Sequence, residues 1–229
     1  AVRLELLNAQ ELALRLAVAQ MICSSDLWDV KADPQKTATN AIETSLAENM
    51  AQARFAEQRA HIFELLGMSG KDGETLVPTK HEWQKSRDIH AVLAKLIALD
   101  DESVMKIFTF VVAETLPCGS ALVGVLGNTL EVDMAEYWRS DECFLSLLRD
   151  KSTISAVLKD TAGKAKADGN ITATAKVQKQ LIGEALVARS ESDKPVWLPR
   201  YMQFPMRSYT KQGGISAVDQ WASVRKYYR

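Results

Sequence analysis

Residues 86–115 read SRDIHAVLAKLIALDDESVMKIFTFVVAET, and this stretch decides the fold class. Five apolar residues of its first half fall on one helical face: Ile89, Val92, Leu93, Leu96 and Ile97. Asp100 or Asp101 then supplies an N-cap, and Glu102 suits the positive first turn of the next helix. The stretch therefore predicts two consecutive helices, over residues 86–99 and 102–115.

The chain before this stretch has the same helical character. Asn8 followed by Glu11 is a capping box, which predicts a helix from about 9 to 25. Residues 39–66 are rich in good helix formers and carry an apolar stripe, so they predict one long helix. Gly67 is the expected C-terminal residue of that helix.

The chain after Pro117 continues the pattern. Residues 119–127 are nearly all apolar and predict a helix that is buried on most sides. Asp150 begins a helix that Gly169-Asn170 ends, and Thr172 caps the helix that follows. The predicted core of the whole chain comprises Leu16, Ile22, Ile62, Leu66, Leu93, Leu96, Phe108, Val112, Leu122, Phe144, Leu147, Ile154, Leu158 and Leu181.

Residues 191–215 differ in kind from the helical segments. They contain three prolines and two consecutive glycines, together with Trp197, Tyr201, Phe204 and Tyr209. Side chains this large usually pack, so the segment predicts an ordered loop. Strand signals are weak throughout. The sequence therefore predicts an all-α fold: a multihelical globular domain with an ordered aromatic loop near the C-terminus.

Composition restricts the function classes. The chain has 229 residues, of which 47% are hydrophobic, which is enough for a sizeable core. It begins without Met, which favours a fragment of a longer protein, and it shows neither a secretory signal nor an apolar run long enough to cross a membrane. The three cysteines, Cys23, Cys118 and Cys143, form no CxxC motif and are expected to be small buried hydrophobes. A cytoplasmic location follows as the expectation.

The net charge of −1 conceals an asymmetry. Residues 1–149 hold 14 basic and 22 acidic side chains (−8), and residues 150–229 hold 14 basic and 7 acidic ones (+7). We therefore predict an acidic helical half over 1–132 and a basic helical half over 133–229, packed together as one unit. Such asymmetry indicates an anionic partner for the basic half. Alternatively, the two halves attract each other or the cations are spread over a solvated face.

The residues do not suggest a catalytic or metal site. His61, His81 and His90 have no second ligand at metal-binding spacing, and His81-Glu82 lacks the rest of an HExxH motif. Phosphate-binding and nucleophile-elbow glycine motifs are absent from the sequence. We therefore expect no enzymatic activity, no cofactor and no metal.

The basic residues carry more information. Lys164 and Lys166, with Lys159, lie near the end of one predicted helix, and Lys176 and Lys179 lie on the next. Two helices joined at Gly169-Asn170 resemble a helix-turn-helix motif, in which the second helix would read DNA. Many helical hairpins look alike, however, and lysines near a helix C-terminus also complement its dipole.

Residues 200–211 interleave cations with aromatic rings, and Arg200, Arg207 and Lys211 are the cations. This pattern suits stacking on bases and holding phosphates. It also suits a loop whose rings belong to the core and whose cations are solvated. Of the two interpretations, this structural one is favoured. The DNA-binding candidates are thus Lys164, Lys166, Lys176, Lys179, Arg200, Arg207 and Lys211.

Three stretches resemble the C-terminal region of long ParB/RepB-type partition proteins of alphaproteobacterial plasmids. The first comprises residues 52–59 (QARFAEQR) and 65–67 (LLG), and the second comprises 112–116 (VAETL) and 119–122 (GSAL). The third and most specific begins at Asp133-Met134 and Tyr137-Trp138-Arg139. It continues through 144–151 (FLSLLRDK), 162–164 (AGK), 172–179 (TATAKVQK), 197–202 (WLPRYM) and 213–214 (GG).

The resemblance implies an all-helical accessory domain that lies downstream of the parts that bind centromere-like DNA. In related partition proteins this region serves dimerisation, non-specific DNA contact, or both. The expected function is therefore weak or non-specific DNA contact through the basic half, and the expected partners are DNA, other partition proteins and a second copy of the chain, without a membrane. The alternative is a dimerisation or protein-interaction module without nucleic-acid binding. The resemblance assigns no individual functional residue.

Overall fold

The computed structural model describes most of the chain, namely residues 2–24, 28–32, 39–71, 73–79, 87–117, 120–209 and 220–227. These residues form helices and turns, and the β structure among them is one isolated bridge between Ala32 and Thr79. The predicted all-α class is thus confirmed. None of the helices in the described ranges combines the length and the apolar character needed to cross a lipid bilayer.

The chain divides into two units. The first contains Ala1–Thr37 and Met50–Cys118, and the second contains Ala38–Asn49 and Gly119–Arg229. These bounds differ from the charge-based halves that meet at residue 132. The helices of the first unit are α1 (Val2–Leu6), α2 (Gln10–Cys23), α4 (Met50–Leu65), α5 (Ile89–Ala98) and α6 (Asp101–Glu114). Those of the second are α3 (Asn40–Ala47), α7 (Ala121–Thr129), α8 (Glu142–Leu147), α9 (Lys151–Ala162), α10 (Lys164–Asp168), α11 (Ala175–Ser190) and α12 (Trp221–Val224).

In the first unit, α2 packs against α5 and α6, and α4 packs against α6. Fully buried apolar residues such as Ile22, Leu96 and Ile107 form its core. Arg15 of α2 is also buried, and it donates to the carbonyl oxygens of Leu96 (3.0 Å) and Leu99 (2.9 Å) and to Asp101. The guanidinium therefore binds carbonyl groups at the C-terminal end of α5 and links α2 to the start of α6.

A buried carboxylate holds the loop before α5 in the first unit. Glu114 accepts from Arg59 Nε (3.2 Å) and from the backbone N–H of Val77 (2.9 Å). Arg59 in turn lies over the ring of Phe55, which stacks on Phe110. Because both charged groups have hydrogen-bond partners, the Arg59–Glu114 pair has a structural role that needs no catalytic explanation.

In the second unit, α9 packs against both α10 and α11. Its core contains Ile154 and Leu158 from α9 and Ile182 from α11. An aromatic cluster borders this core: Phe144 lies 5.3 Å from Trp138 and 5.9 Å from Trp197, measured between ring centroids. Helix α9 is thus the element against which the two lysine-bearing helices, α10 and α11, pack.

The aromatic loop predicted over 191–215 lies partly outside the described residues, so it stays a prediction. In its described part, the rings of Tyr201 and Tyr209 meet edge to face at 6.0 Å. Gln203 donates to the carbonyl of Leu198 (2.7 Å), and the N–H of Arg207 donates to the carbonyl of Arg200 (3.0 Å).

Several predicted helix ends agree with the structure. Asp100 and Asp150 cap α6 and α9 by accepting from the N–H groups of Ser103 (2.8 Å) and Thr153 (2.8 Å). Gly67 follows α4 with a φ of 55°, a left-handed conformation that suits glycine. The predicted capping box at Asn8 is wrong, because α2 begins after Ala9 and has no side-chain cap. The predicted cap at Thr172 is also wrong, because Thr174 caps α11.

Two predicted helices are interrupted. The helix expected over 39–66 is divided into α3 and α4 at Glu48-Asn49, where the Asn49 side chain donates to the carbonyl of Tyr137 (3.0 Å). The helix expected from Asp150 to residue 168 is divided into α9 and α10 at Gly163, which has a φ of 89°. Long-range contacts and a left-handed glycine therefore override a continuous helical pattern.

The core prediction is correct at Ile22, Ile62, Leu66, Leu96, Phe144, Ile154 and Leu158. It is wrong at three positions, because Val112, Leu122 and Leu147 are 47%, 49% and 46% exposed. Leu16, Leu93, Phe108 and Leu181 are half-buried. Val111 is buried instead of Val112, and Leu148 instead of Leu147. At these two positions the buried face therefore lies one residue away from the predicted one.

Candidate nucleic-acid interface

The DNA-binding candidates are distributed over three parts of the second unit. Lys164 and Lys166 lie on α10, and Lys176 and Lys179 lie on α11. Arg200 and Arg207 belong to the segment after α11, where Arg200 begins a short 3-10 helix, Arg200–Met202. Lys211 lies outside the described residues, and nothing can be stated about its position.

The start of α9 is fixed by its own sequence. Asp150 accepts hydrogen bonds from the hydroxyl groups of Ser152 and Thr153 as well as from the N–H of Thr153. These bonds favour the carboxylate, so they lower the pKa of Asp150 below its usual value, with Ser152 as the largest cause. The cap sets the position of the helix against which the two lysine-bearing helices pack.

Gln178 holds α9, α11 and the turn after α10 together. Its side chain is fully buried, accepts from Ser155 of α9 (3.1 Å) and donates to the carbonyl of Asn170 (2.8 Å). The Asn170 side chain donates to the carbonyl of Lys166 (2.8 Å), which ties the turn to α10. The lysines before and after this turn are therefore carried on a hydrogen-bonded frame.

The contacts of α11 show where its two ends lie. Its first turns lie beside the middle of α9, through Gln178 and Ser155. Further along, Lys179 Nζ approaches the carbonyl of Ser146 (3.4 Å), and Gly183 lies beside Leu145 of α8. Because Asn170 is hydrogen-bonded both to Lys166 of α10 and to Gln178 of α11, Lys166 and Lys176 lie on helices that are joined at one fixed turn.

Three of the candidate lysines are exposed and lack an ion-pair partner among the described residues. Lys164, Lys166 and Lys176 form no ion pair with any residue that the structure describes. Between residues 159 and 179 the sequence holds five lysines against Asp160 and Asp168. Lys159 of α9 is also exposed, and we add it to these three lysines, although it is not among the candidates predicted from the sequence.

Arg200 is not a free cation. Its Nε and one terminal nitrogen each donate to Asp160 at 2.7 Å, and its guanidinium lies 4.8 Å from the ring centre of Tyr209. The hydrogen bond to Asp160 raises the pKa of Arg200 above its ordinary value. The pair neutralises Asp160 next to Lys159, so Arg200 increases the local positive charge indirectly. The neighbouring Arg207 is exposed.

The first of the two helices is short for a helix-turn-helix motif. α10 has five residues, and α11 begins seven positions after α10 ends, packed along α9. One turn beyond Lys176, Gln180 donates to Glu184 (3.0 Å). A carboxylate on this face would repel a phosphate backbone, so the arrangement suits phosphate contact at the start of α11 better than base reading along its length.

The second unit also contains an open groove of about 630 Å³ between α8, α11 and the segment around Trp197. Its apolar lining includes Leu145, Leu186 and Trp197, and its cations are Arg139, Arg189 and Lys194. Arg189 donates to the carbonyl of Pro195 (2.7 Å) and thereby fixes one wall. The sequence did not indicate this groove, because its residues are distant along the chain.

The residues considered for catalysis are scattered. His61 and His90 are exposed, and His81 and Cys118 lie outside the described residues. Within the described ranges, no three His, Cys, Asp or Glu side chains come together as metal ligands would. Cys143 is half-buried, whereas Cys23 is buried and desolvation raises its pKa to about 11. Cys23 therefore has the small, buried character predicted for it.

No protein-family model, curated protein or solved structure matches the chain. The resemblance to ParB/RepB-type partition proteins therefore stays a prediction from the stretches quoted above.

Proposed function

We propose that this chain is an accessory domain of a ParB-like partition protein that contacts duplex DNA weakly and without sequence specificity. The exposed lysines of α10 and α11 that form no ion pair among the described residues carry the proposal. They are Lys164, Lys166 and Lys176, and the buried side chain of Gln178 joins α9, α11 and the turn between α10 and α11 by hydrogen bonds. Lysine contacts of this kind neutralise phosphates and release counterions, which gives binding that depends on salt and not on sequence.

The partition role rests on the resemblance of the quoted stretches. In that setting the domain adds DNA affinity to a protein whose specific binding resides elsewhere, and it acts in the cytoplasm on plasmid DNA without catalysis. Other partition proteins and a second copy of the chain are the proposed protein partners. Even weak binding sites contribute strongly when they are tethered, because the tether raises their effective concentration.

The proposal is tested by removing the three lysines together. We expect the variant Lys164→Gln, Lys166→Gln, Lys176→Gln to bind a 30-base-pair duplex at least about tenfold more weakly than the unchanged chain at low salt. Fluorescence anisotropy with two unrelated duplex sequences measures the affinity, and both duplexes should give the same value.

The matched control removes three exposed cations of the first unit, Arg3→Gln, Arg54→Gln and Lys71→Gln. It changes the net charge by the same amount, so it separates a local surface from a general charge effect. Equal losses of affinity in the two triple variants, or no duplex binding by the unchanged chain, would refute the proposal.

A second candidate function is self-association without DNA binding. One observation favours it: Leu122 of α7 is 49% exposed and Leu130, just after the helix, is 71% exposed. Exposed apolar side chains at the two ends of one helix give it an apolar surface of the kind that interaction sites use. We expect Leu122→Glu, Leu130→Glu to lower the mass measured by light scattering across a concentration series. A constant monomer mass for the unchanged chain would exclude this candidate.

A further inference from the structure

The turn between α10 and α11 exposes an isoleucine among the lysines. Ile171 is 63% exposed, and Val177, in the first turn of α11, is 43% exposed. Lys166 precedes this pair and Lys176 lies between its two members. An exposed aliphatic side chain with cations on both sides is not explained by phosphate contact alone.

The backbone that carries Ile171 is fixed. Asn170 accepts at its carbonyl from the Gln178 side chain (2.8 Å) and from the N–H of Ala173 (3.0 Å). Thr174 caps the next helix by accepting from the N–H of Val177 (3.3 Å). Because the turn is held on both sides of Ile171, docking this side chain requires little further ordering of the chain.

We propose that Ile171, supported by Val177, is an apolar wedge that enters the minor groove of duplex DNA and bends it. The inference rests on the proposed function, since the lysines must first hold the duplex. Proteins that bend DNA insert aliphatic side chains between base steps while neighbouring cations bind the phosphates on either side. Lys166 and Lys176 lie five positions before and five positions after Ile171 in the sequence, and these two cations outnumber the one exposed carboxylate between them, Asp168.

The composition around the turn favours a duplex over other anionic partners. Residues 151–190 contain no aromatic side chain, whereas single-stranded nucleic acids are bound by stacking on aromatic rings. A membrane surface requires a larger apolar face than one isoleucine and one valine provide. A narrow groove between two phosphate rows fits a small wedge with cations on each side.

The test uses the full chain and a 20-base-pair duplex labelled at both ends, so that energy transfer reports bending. We expect binding of the unchanged chain to raise the transfer efficiency, and Ile171→Ala to abolish that rise. Affinity should fall about fivefold, because one apolar contact is lost. The dependence of affinity on salt should not change, because no phosphate contact is removed.

Val187→Ala is the matched control, since Val187 is 59% exposed on the far half of α11. It should leave both affinity and bending unchanged. If Ile171→Ala behaves like this control while the chain still binds DNA, the wedge is refuted and the proposed function survives. If the chain binds no duplex, both proposals fail together. Ile171-dependent binding to vesicles of anionic phospholipid, without DNA bending, would also overturn the wedge.

Discussion

Gln178 is the residue that holds the lysine-bearing helices α10 and α11 in place against α9. It is a fully buried amide with both ends of its side chain hydrogen-bonded, to Ser155 and to the carbonyl of Asn170. Buried polar groups that are fully paired fix one arrangement of a core, because any other arrangement leaves them unsatisfied. Position 178 therefore links the packing of α9 and α11 to the orientation of the turn that bears Ile171.

Truncation at this position should be strongly destabilising. We expect Gln178→Ala to lower the free energy of unfolding by about 2–3 kcal/mol, because it removes two hydrogen bonds and leaves a cavity. Equilibrium unfolding in urea, followed by circular dichroism, measures the change.

Gln180→Ala is the control for this prediction. Gln180 is the same residue type on the same helix, but it is exposed and bonded only to Glu184 among the described residues. Its substitution should change the free energy of unfolding by less than about 0.5 kcal/mol. Similar values for the two variants would show that Gln178 does not hold the frame.

At the scale of elements, the segment after α11 is tied to α7 by a close approach at Gly127. A Cβ atom on Gly127 would lie 2.3 Å from Cε1 of Phe204, so only a glycine admits the ring in this position. Gly124, one turn earlier on the same helix, would place its Cβ 4.0 Å from the Met206 sulfur, which is an ordinary contact.

The two glycines should therefore respond in opposite directions to alanine. We expect Gly127→Ala to destabilise the protein by about 1–3 kcal/mol, because the Phe204 ring must move. Gly124→Ala should stabilise it by up to about 1 kcal/mol, because alanine favours a helix over glycine. Thermal unfolding of both variants gives the signs, and a stabilised Gly127→Ala variant would be inconsistent with the packing described.

Elements that depend on local chemistry could be predicted from the sequence. The caps Asp100 and Asp150 and the glycine after α4 act within one helical turn, so their positions followed from residue type and spacing. The break at Asn49 could not be predicted, because its partner is the carbonyl of Tyr137, 88 positions away. The division at Gly163 was missed because the helical pattern continues on both sides of the glycine.

The candidate site was predictable in part. The sequence identified Lys164, Lys166 and Lys176, because a local excess of lysine is visible without a structure. It could not show that Asp160 neutralises Arg200, since that pair spans 40 positions. Neither could it identify Ile171, because an isolated isoleucine in a turn is indistinguishable from a core residue until its exposure is known.

At the scale of the whole molecule, a net charge of −1 gives no indication of nucleic-acid binding. A bound phosphate instead responds to local charge, because fields from exposed charges are screened within about 10 Å at 0.1 M salt. Among Lys159, Lys164, Lys166 and Lys176, the nearby carboxylates are Asp160, which Arg200 neutralises, and the exposed Asp168, so the local balance stays positive. The acidic residues elsewhere in the chain then matter little to a bound phosphate.

The most direct test is the dependence of duplex affinity on salt concentration for the unchanged chain and the triple lysine variant. Suppose that Lys159, Lys164, Lys166 and Lys176 each neutralise one phosphate. A plot of the logarithm of the binding constant against the logarithm of salt concentration should then have a slope of about −3.6. The variant lacking Lys164, Lys166 and Lys176 should show a slope that is shallower by about 2.7. A slope near zero, or equal slopes for the two proteins, would contradict the account.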